Sequence, residues 1–334
     1  MTRPDPTDAG RVDSGRIDPG GAPVVSVVVC THDRAELLRL ALASLAAQAP
    51  PPGGFEVVLV DNRSTDHTPA VAAEFATRLP LRYVHEPEMG LCIARNTGWR
   101  AARGTWVAYF DDDAEAEPGW LTAVADAFAR HPDAGVVGGR VIPVWEAPQP
   151  AWLSDHAARV LTIVDWPGGE HVIADLAAEW LVGVNMAVPR RVLEAVGGFH
   201  PWLDRVGTNM LSSGDVFLQK AVVARGLRCV YDPRMAVRHL VGRERLTKAW
   251  FQRRYYWQGV SDAVMELIEE SPSRPERVRR AAARSARLLP GLLAHPTRLG
   301  ALAAPPDDPA RFEEACWTWI AMGHVAGLLG AAGR

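Results

Sequence analysis

A chain of 334 residues that is 48% hydrophobic and 22% charged has the make-up of a soluble globular enzyme, long enough for one large α/β domain with an appendage or for two domains. Its formal net charge of -3 excludes a global electrostatic case for nucleic acid as a partner, so any anion has to be met locally. The four cysteines, Cys30, Cys92, Cys229 and Cys316, are scattered with no CxxC pair and indicate neither a disulfide framework nor a zinc site.

Residues 1–22 are rich in Asp, Gly, Pro and Arg and lack the apolar core of a signal peptide, so they read as a disordered leader on a cytoplasmic chain. No apolar run reaches the roughly 20 residues that span a bilayer. Val24 to Cys30 is a β-branched run of the kind that forms a strand buried on both faces, and it ends in Thr31-His32-Asp33-Arg34. Leu37, Leu38, Ala41, Leu42 and Leu45 then recur at helical spacing. Phe55 to Val60 predicts a second strand, which ends in Asp61-Asn62-Arg63-Ser64-Thr65-Asp66, and a helix follows from Pro69 to Arg78. Leu81 to Val84 supplies a third strand. A loop through Glu88-Met89-Gly90 leads to a helix carrying Ala94-Arg95-Asn96-Thr97-Gly98. The apolar run from Trp106 to Phe110 then stops abruptly at Asp111-Asp112-Asp113.

Strands alternating with helices of these lengths predict a parallel, doubly wound sheet. Polar residues gather after the first, second and fourth strands, on the sheet edge where α/β proteins open a ligand crevice. Alternation along a strand aims Asp111 and Asp113 the same way, so that they can share one hard cation, Mn²⁺ or Mg²⁺, carrying a substrate diphosphate. A solvated acidic turn capping the helix that begins near Pro118 is the plainer account of the same acids. Neither GxGxxG nor the GxxxxGK[ST] phosphate loop follows the first strand.

In order and spacing, these segments resemble the family 2 glycosyltransferases, which have the nucleotide-diphospho-sugar transferase (GT-A) fold. The resemblance runs through Val25 to Arg34, Val60 to Asp66, Ala94 to Gly98, Asp111 to Asp113, Gly183 to Arg190, Gly197-Gly198-Phe199, Ser213-Gly214-Asp215 and Val237-Arg238-His239, covering roughly Val24 to Gly259. It implies a mostly parallel sheet flanked by helices over residues 23–242, with a nucleotide-sugar half at 23–115 and an acceptor half at 116–242, followed by a helical region at 243–334. It also implies an inverting, metal-dependent transfer of a sugar from a nucleotide-diphosphate sugar, UDP-linked by first choice, to an acceptor hydroxyl. Thr31, Asp33, Arg34, Asp61, Asn62, Arg95, Asp111 and Asp112 would then meet the nucleotide sugar, with Asp61 reading the base and Arg95 facing the diphosphate. Asp111, Asp113 and His239 would hold Mn²⁺ or Mg²⁺.

Family members usually carry the catalytic base in a Glu-Asp pair. Here the pair reads Gly214-Asp215, which leaves Asp215 as the base; the same position also suits an acid favoured by a helix dipole. Flat aromatic faces bind sugars, so Trp180 and Trp202 are assigned to an acceptor cleft, with Asp204 and Arg205 as polar contacts. Beyond Arg243 the pattern is helical. Pro275 to Leu289 carries Arg277, Arg279, Arg280, Arg284 and Arg287, a solvated cationic helix or a dock for anionic lipid or a phosphorylated acceptor. The last helix, Pro309 to Leu329, is expected to pack on the body or on a homodimer partner. Two rivals stay open: a sugar-nucleotide pyrophosphorylase, and a sugar-nucleotide-binding scaffold weakened by the loss of the acid at Gly214.

Overall fold

The computed structural model describes residues 22–330 apart from 208, 295–299 and 303; the side chains of 291–294 and nearly all of the expected leader lie outside the described residues. Four valine-rich or aromatic runs make the first half of a sheet: β1 (Val25–Thr31), β2 (Phe55–Asp61), β3 (Leu81–His85) and β4 (Trp106–Asp111). Helices α1 (Ala35–Ala46), α2 (Thr68–Phe75) and α3 (Leu91–Ala101) return the chain between them, so all four run parallel in the order β3-β2-β1-β4. Val27, Val29, Val57 and Val58 are fully buried, as unbroken apolar strands covered on both faces should be.

The chain continues through β5 (Ala114–Ala116), α4 (Trp120–Arg130), β6 (Ala134–Gly138), β7 (Val141–Trp145), α5 (Asp155–Ala158), β8 (His171–Val172), β9 (Asn185–Pro189) and α6 (Arg190–Val196). Then come α7 (Gly214–Val223), β10 (Arg228–Tyr231) and β11 (Val237–Val241). The large sheet has eight strands in the order β3-β2-β1-β4-β9-β6-β10-β8. It is mostly parallel, but β9 runs antiparallel to both β4 and β6. This is the mostly parallel sheet flanked by helices that the sequence implied; β9 enters after a long irregular connection, free of the directional constraint that a helical crossover imposes.

A second sheet, β5-β11-β7, stands beside the first. Its strand β11 begins at Val237 and places His239 opposite Ala114. The Leu240 N–H donates to the Asp113 carbonyl at 3.0 Å, which ties this strand to the acidic turn.

Three helices close the chain: α8 (Lys248–Glu270), α9 (Arg274–Ala294) and α10 (Pro309–Leu328). Helices α8 and α10 cross at backbone contact. A Cβ on Gly259 would land on the Ile320 carbonyl oxygen, and one on Gly323 on the Tyr256 carbonyl oxygen. Phe251, Phe312 and Trp319 share an apolar cluster with Leu153 and Leu161, which fastens the helical region to the body. On α9, Arg280 pairs with Glu266, Glu270 and Glu276, Arg279 with Glu276 and Arg284 with Glu266, so much of its cationic charge is answered internally. Among the described residues no helix is long and apolar enough to cross a membrane.

Candidate active site

Strand register assembles the site. Thr31 stands opposite Asp61 and Cys30 opposite Asp111, so the polar ends of β1, β2 and β4 meet on one edge of the sheet, where departing loops leave a crevice.

The first two loops are stitched to each other. Asp33 adopts a left-handed φ of 51°; its Oδ1 accepts the N–H groups of Thr65 at 2.6 Å and Asp66 at 3.3 Å, while its own N–H donates to Ser64 Oγ at 3.1 Å. Those donors, Thr65 first, hold its carboxyl below the usual carboxylate range. Asp66 accepts the Ala35 N–H at 2.9 Å and the Thr68 N–H at 3.0 Å, so one carboxylate serves the N-termini of both α1 and α2. Asp61 is 1% exposed and accepts the Ser64 N–H at 2.7 Å and the Tyr83 hydroxyl at 2.5 Å. Burial and the bond to Asp61 push the Tyr83 phenol up to about 12. Asn62, expected at the nucleotide, spends its amide on protein: it donates to the Glu86 and Glu88 carbonyls at 3.3 and 2.6 Å and accepts the Gly90 N–H at 2.8 Å. It ties the 86–90 loop to β2.

The three acids part company. Strand alternation ends at Asp111, because residues 112 and 113 form a turn into β5, and the expected common aim of Asp111 and Asp113 gives way to separate partners. Arg34 donates through Nη1 to Asp112 Oδ1 and Asp113 Oδ2, both at 3.1 Å. Asp112 also accepts the Thr31 hydroxyl at 2.7 Å; burial pushes its carboxyl up to about 6, against the opposing charge of Arg34. Asp113 faces His239 Nε2 at 3.3 Å and Arg245 Nη2 at 3.5 Å. Burial would raise its carboxyl, but His239, Arg34 and Arg245 hold it well below the usual range. His239 is itself 3% exposed, and its Nδ1 lies 3.2 Å from Thr162 Oγ1. Asp111 pairs with Arg95 at 3.0 Å.

Among the described residues no three His, Cys, Asp or Glu side chains form a ready metal-ligating group. The Asp113–His239 pair still fits a divalent cation. Mg²⁺ and similar ions are commonly held by one or two protein ligands with the remainder from substrate phosphate and water, and Asp113, in the turn before β5, and His239, on β11, offer one oxygen and one nitrogen.

Arg95 links this cluster to Asp215. Its guanidinium is 7% exposed and lies flat against Gly183, where a Cβ would collide with it. Burial would lower its pKa, but Asp111 and Asp215 hold it well above the usual value. The Gly183 N–H donates to Asp215 Oδ2 at 3.1 Å, so two hydrogen-bonded pairs, Arg95–Asp111 and Gly183–Asp215, meet where the Arg95 guanidinium packs against Gly183. Asp215 occupies the first turn of α7, which also gives it the helix-dipole position.

The residues assigned to the acceptor cleft separate. Trp202 is 50% exposed beside His200. Trp180 stacks edge-on with Trp166 and its carbonyl accepts the Trp166 indole N–H at 3.0 Å, which makes it a packing residue. Asp204 is fully buried and accepts the N–H groups of Cys92 at 2.9 Å and Ile93 at 3.2 Å, so its carboxylate serves the start of α3. Sequence reasoning passed over Tyr83, Asp66, Thr162 and Arg245. Tyr83 looks like any strand aromatic, and Arg245 follows a strand whose pairing with the acidic turn has no local signature.

Residues 26–190 match the family model described as glycosyl transferase family 2. The glucosyl-dolichyl phosphate glucuronosyltransferase of Haloferax volcanii is 29% identical over 248 residues, which is 73% of this chain and 78% of that protein. The validoxylamine A glucosyltransferase of Streptomyces hygroscopicus subsp. limoneus is 38% identical over 119 residues, 35% of this chain and only 26% of that protein. Among solved structures, the mannosyltransferase PcManGT from Pyrobaculum calidifontis, in complex with GDP-Man and Mn²⁺, superposes with a TM-score of 0.59 at 24% identity, covering 94% of this chain and 90% of that one. That likeness speaks for the fold.

Proposed function

The chain belongs to glycosyl transferase family 2, and from that premise we propose that it moves a sugar, with inversion, from a nucleotide-diphosphate sugar to a hydroxyl of a saccharide, lipid or natural product. Asp61, with Thr31 and Asp33 alongside, reads the base, with uridine the first candidate. Arg34 and Arg95 face the diphosphate, with Asp112 positioning Arg34. Asp113 and His239 would hold Mn²⁺ or Mg²⁺, with Asp111 alongside through the oxygen that Arg95 does not engage, and the cation when bound would neutralise charge on the departing diphosphate. Asp215 accepts the proton of the acceptor hydroxyl as its oxygen bonds to the anomeric carbon and the bond to the diphosphate breaks.

The packing of Arg95, paired with Asp111, against Gly183, which donates to Asp215, carries this reading, because it sets the proposed diphosphate side next to a carboxylate able to serve the acceptor. The relatives support acceptors of the lipid and natural-product kinds, since one is named for a dolichyl phosphate glucoside and the other for validoxylamine A. Gly214 supports a second reading, a donor-binding scaffold with little turnover, because it removes the acid that usually neighbours the base.

A panel of UDP-, GDP- and dTDP-sugars with and without Mn²⁺ tests the proposal. One of them is expected to raise the melting temperature in a metal-dependent way and to be hydrolysed slowly. Asp215→Asn should lower turnover by about 10²-fold or more while leaving donor binding within about twofold. Full turnover in that variant removes the base assignment, and donor binding without any hydrolysis or transfer leaves the scaffold.

A further inference from the structure

Arg254, whose charged neighbours include Arg205 and Asp215, and Arg205 itself have no carboxylate ion pair among the described residues. Arg254 on α8 is 8% exposed, and its Nη1 is buried with no hydrogen-bond partner. Gln258, one turn further along α8, donates to Ser213 Oγ at 3.0 Å, and Ser213 precedes the helix turn that carries Asp215. Residues one turn apart share a helix face, so Arg254 is aimed at the same place. Arg205 stands in the segment between Leu203 and Leu211, which packs against that face of α8. It is exposed to solvent, and its Nε has the Leu211 carbonyl at 3.5 Å as its contact.

We propose that Arg254 and Arg205 together bind a phosphate group carried by the acceptor. This rests on the reading of Asp215 as the base that serves the acceptor hydroxyl. A buried guanidinium left without an anion is costly, and a second cation next to it raises the cost, so the arrangement calls for a ligand of opposite charge. Burial, with Arg205 next, lowers Arg254 to about 10, and Asp215 and Asp262 only partly offset this. Arg205 is desolvated although exposed, as a side chain standing inside an open cleft would be, and it feels Arg245, Asp111, Arg95 and Arg34. The cations on the diphosphate side are already engaged, Arg34 by Asp112 and Asp113, Arg95 by Asp111 and Arg245 by Asp113. The principal charged neighbours of Arg254 are Arg205, Asp215 and Asp262, which places its unmet demand beyond the base, where the acceptor enters. Guanidinium forks suit phosphate oxygens in that position.

Calorimetry on the full chain saturated with Mn²⁺ and the tightest of UDP, GDP and dTDP tests the site, with octyl phosphate, inorganic phosphate and octyl glucoside as probes. Octyl phosphate should bind while the nucleotide remains in place, and Arg254→Gln and Arg205→Gln should each weaken it by about tenfold or more while nucleotide affinity stays within about twofold. Octyl phosphate binding well above inorganic phosphate points to a lipid-linked acceptor; equal binding points to a phosphorylated sugar, and either supports the site. Competition between octyl phosphate and the nucleotide, or equal weakening of both in the variants, would assign the arginines to the donor diphosphate and overturn the proposal. So would octyl phosphate binding no better than octyl glucoside. If Arg254→Gln does not fold, Arg205→Gln on its exposed segment carries the test. A wild-type protein that binds no nucleotide at all strikes instead at the donor reading, and leaves the phosphate measurement readable on its own.

Discussion

The two walls of the crevice differ in how their charges are answered. On the wall built by β1, β2 and β4, each acid has a partner within the protein: Asp33 and Asp61 take backbone N–H groups, Asp111 takes Arg95, and Asp112 and Asp113 take Arg34. On the wall built by the 203–215 segment and α8, Arg254 and Arg205 have no carboxylate at all among the described residues. The first wall is a preformed cradle whose geometry is fixed before any ligand arrives. The second is incomplete without one. A donor of constant chemistry suits the first arrangement, and an acceptor that supplies its own charge suits the second.

The largest effect that would sharpen this contrast belongs to Asp113→Ala. It should lower metal-dependent donor affinity by about 100-fold and leave metal-free binding little changed, which calorimetry with and without Mn²⁺ reads directly; an equal loss in both conditions would mean that Asp113 only positions Arg34. Gly323→Ala comes next. A methyl there meets the Tyr256 carbonyl oxygen, so α8 must move and stability should fall by about 2 kcal/mol in urea unfolding. Donor binding should survive in that variant, since the strain falls on the acceptor wall, and a matching loss of donor affinity would show that the two walls are mechanically one. The smallest effect is expected of Asp66→Ala, about 1 kcal/mol for lost helix capping. Its donor affinity should drop as well, because the carboxylate joins the loops after β1 and β2.

The wall built by β1, β2 and β4 was the more legible of the two. Valine runs ending in Thr31, Asp61 and Asp111 mark buried strands with polar tips, and parallel pairing then brings those tips together whatever the intervening helices contain. The partners of those acids were less visible. Arg34 reaches Asp113 across 79 residues and Arg245 reaches it across 132, distances over which local pattern is silent. The protein partners of Asn62 and Asp204 were hidden for a different reason: an amide or carboxylate that satisfies backbone N–H groups has the same composition as one that contacts a ligand. The antiparallel β9 was missed because an apolar run has no direction of its own.

Gly214 leaves one more consequence. A Cβ built there would sit 3.0 Å from Cys92 Sγ, in a corner closed by Phe199 and the Leu203 carbonyl oxygen. Glutamate in front of Asp215 would therefore press on Cys92, whose side chain must give by a few tenths of an ångström to admit it. The two positions are coupled through that contact, so an acid at 214 should sit more easily beside a residue smaller than cysteine at 92.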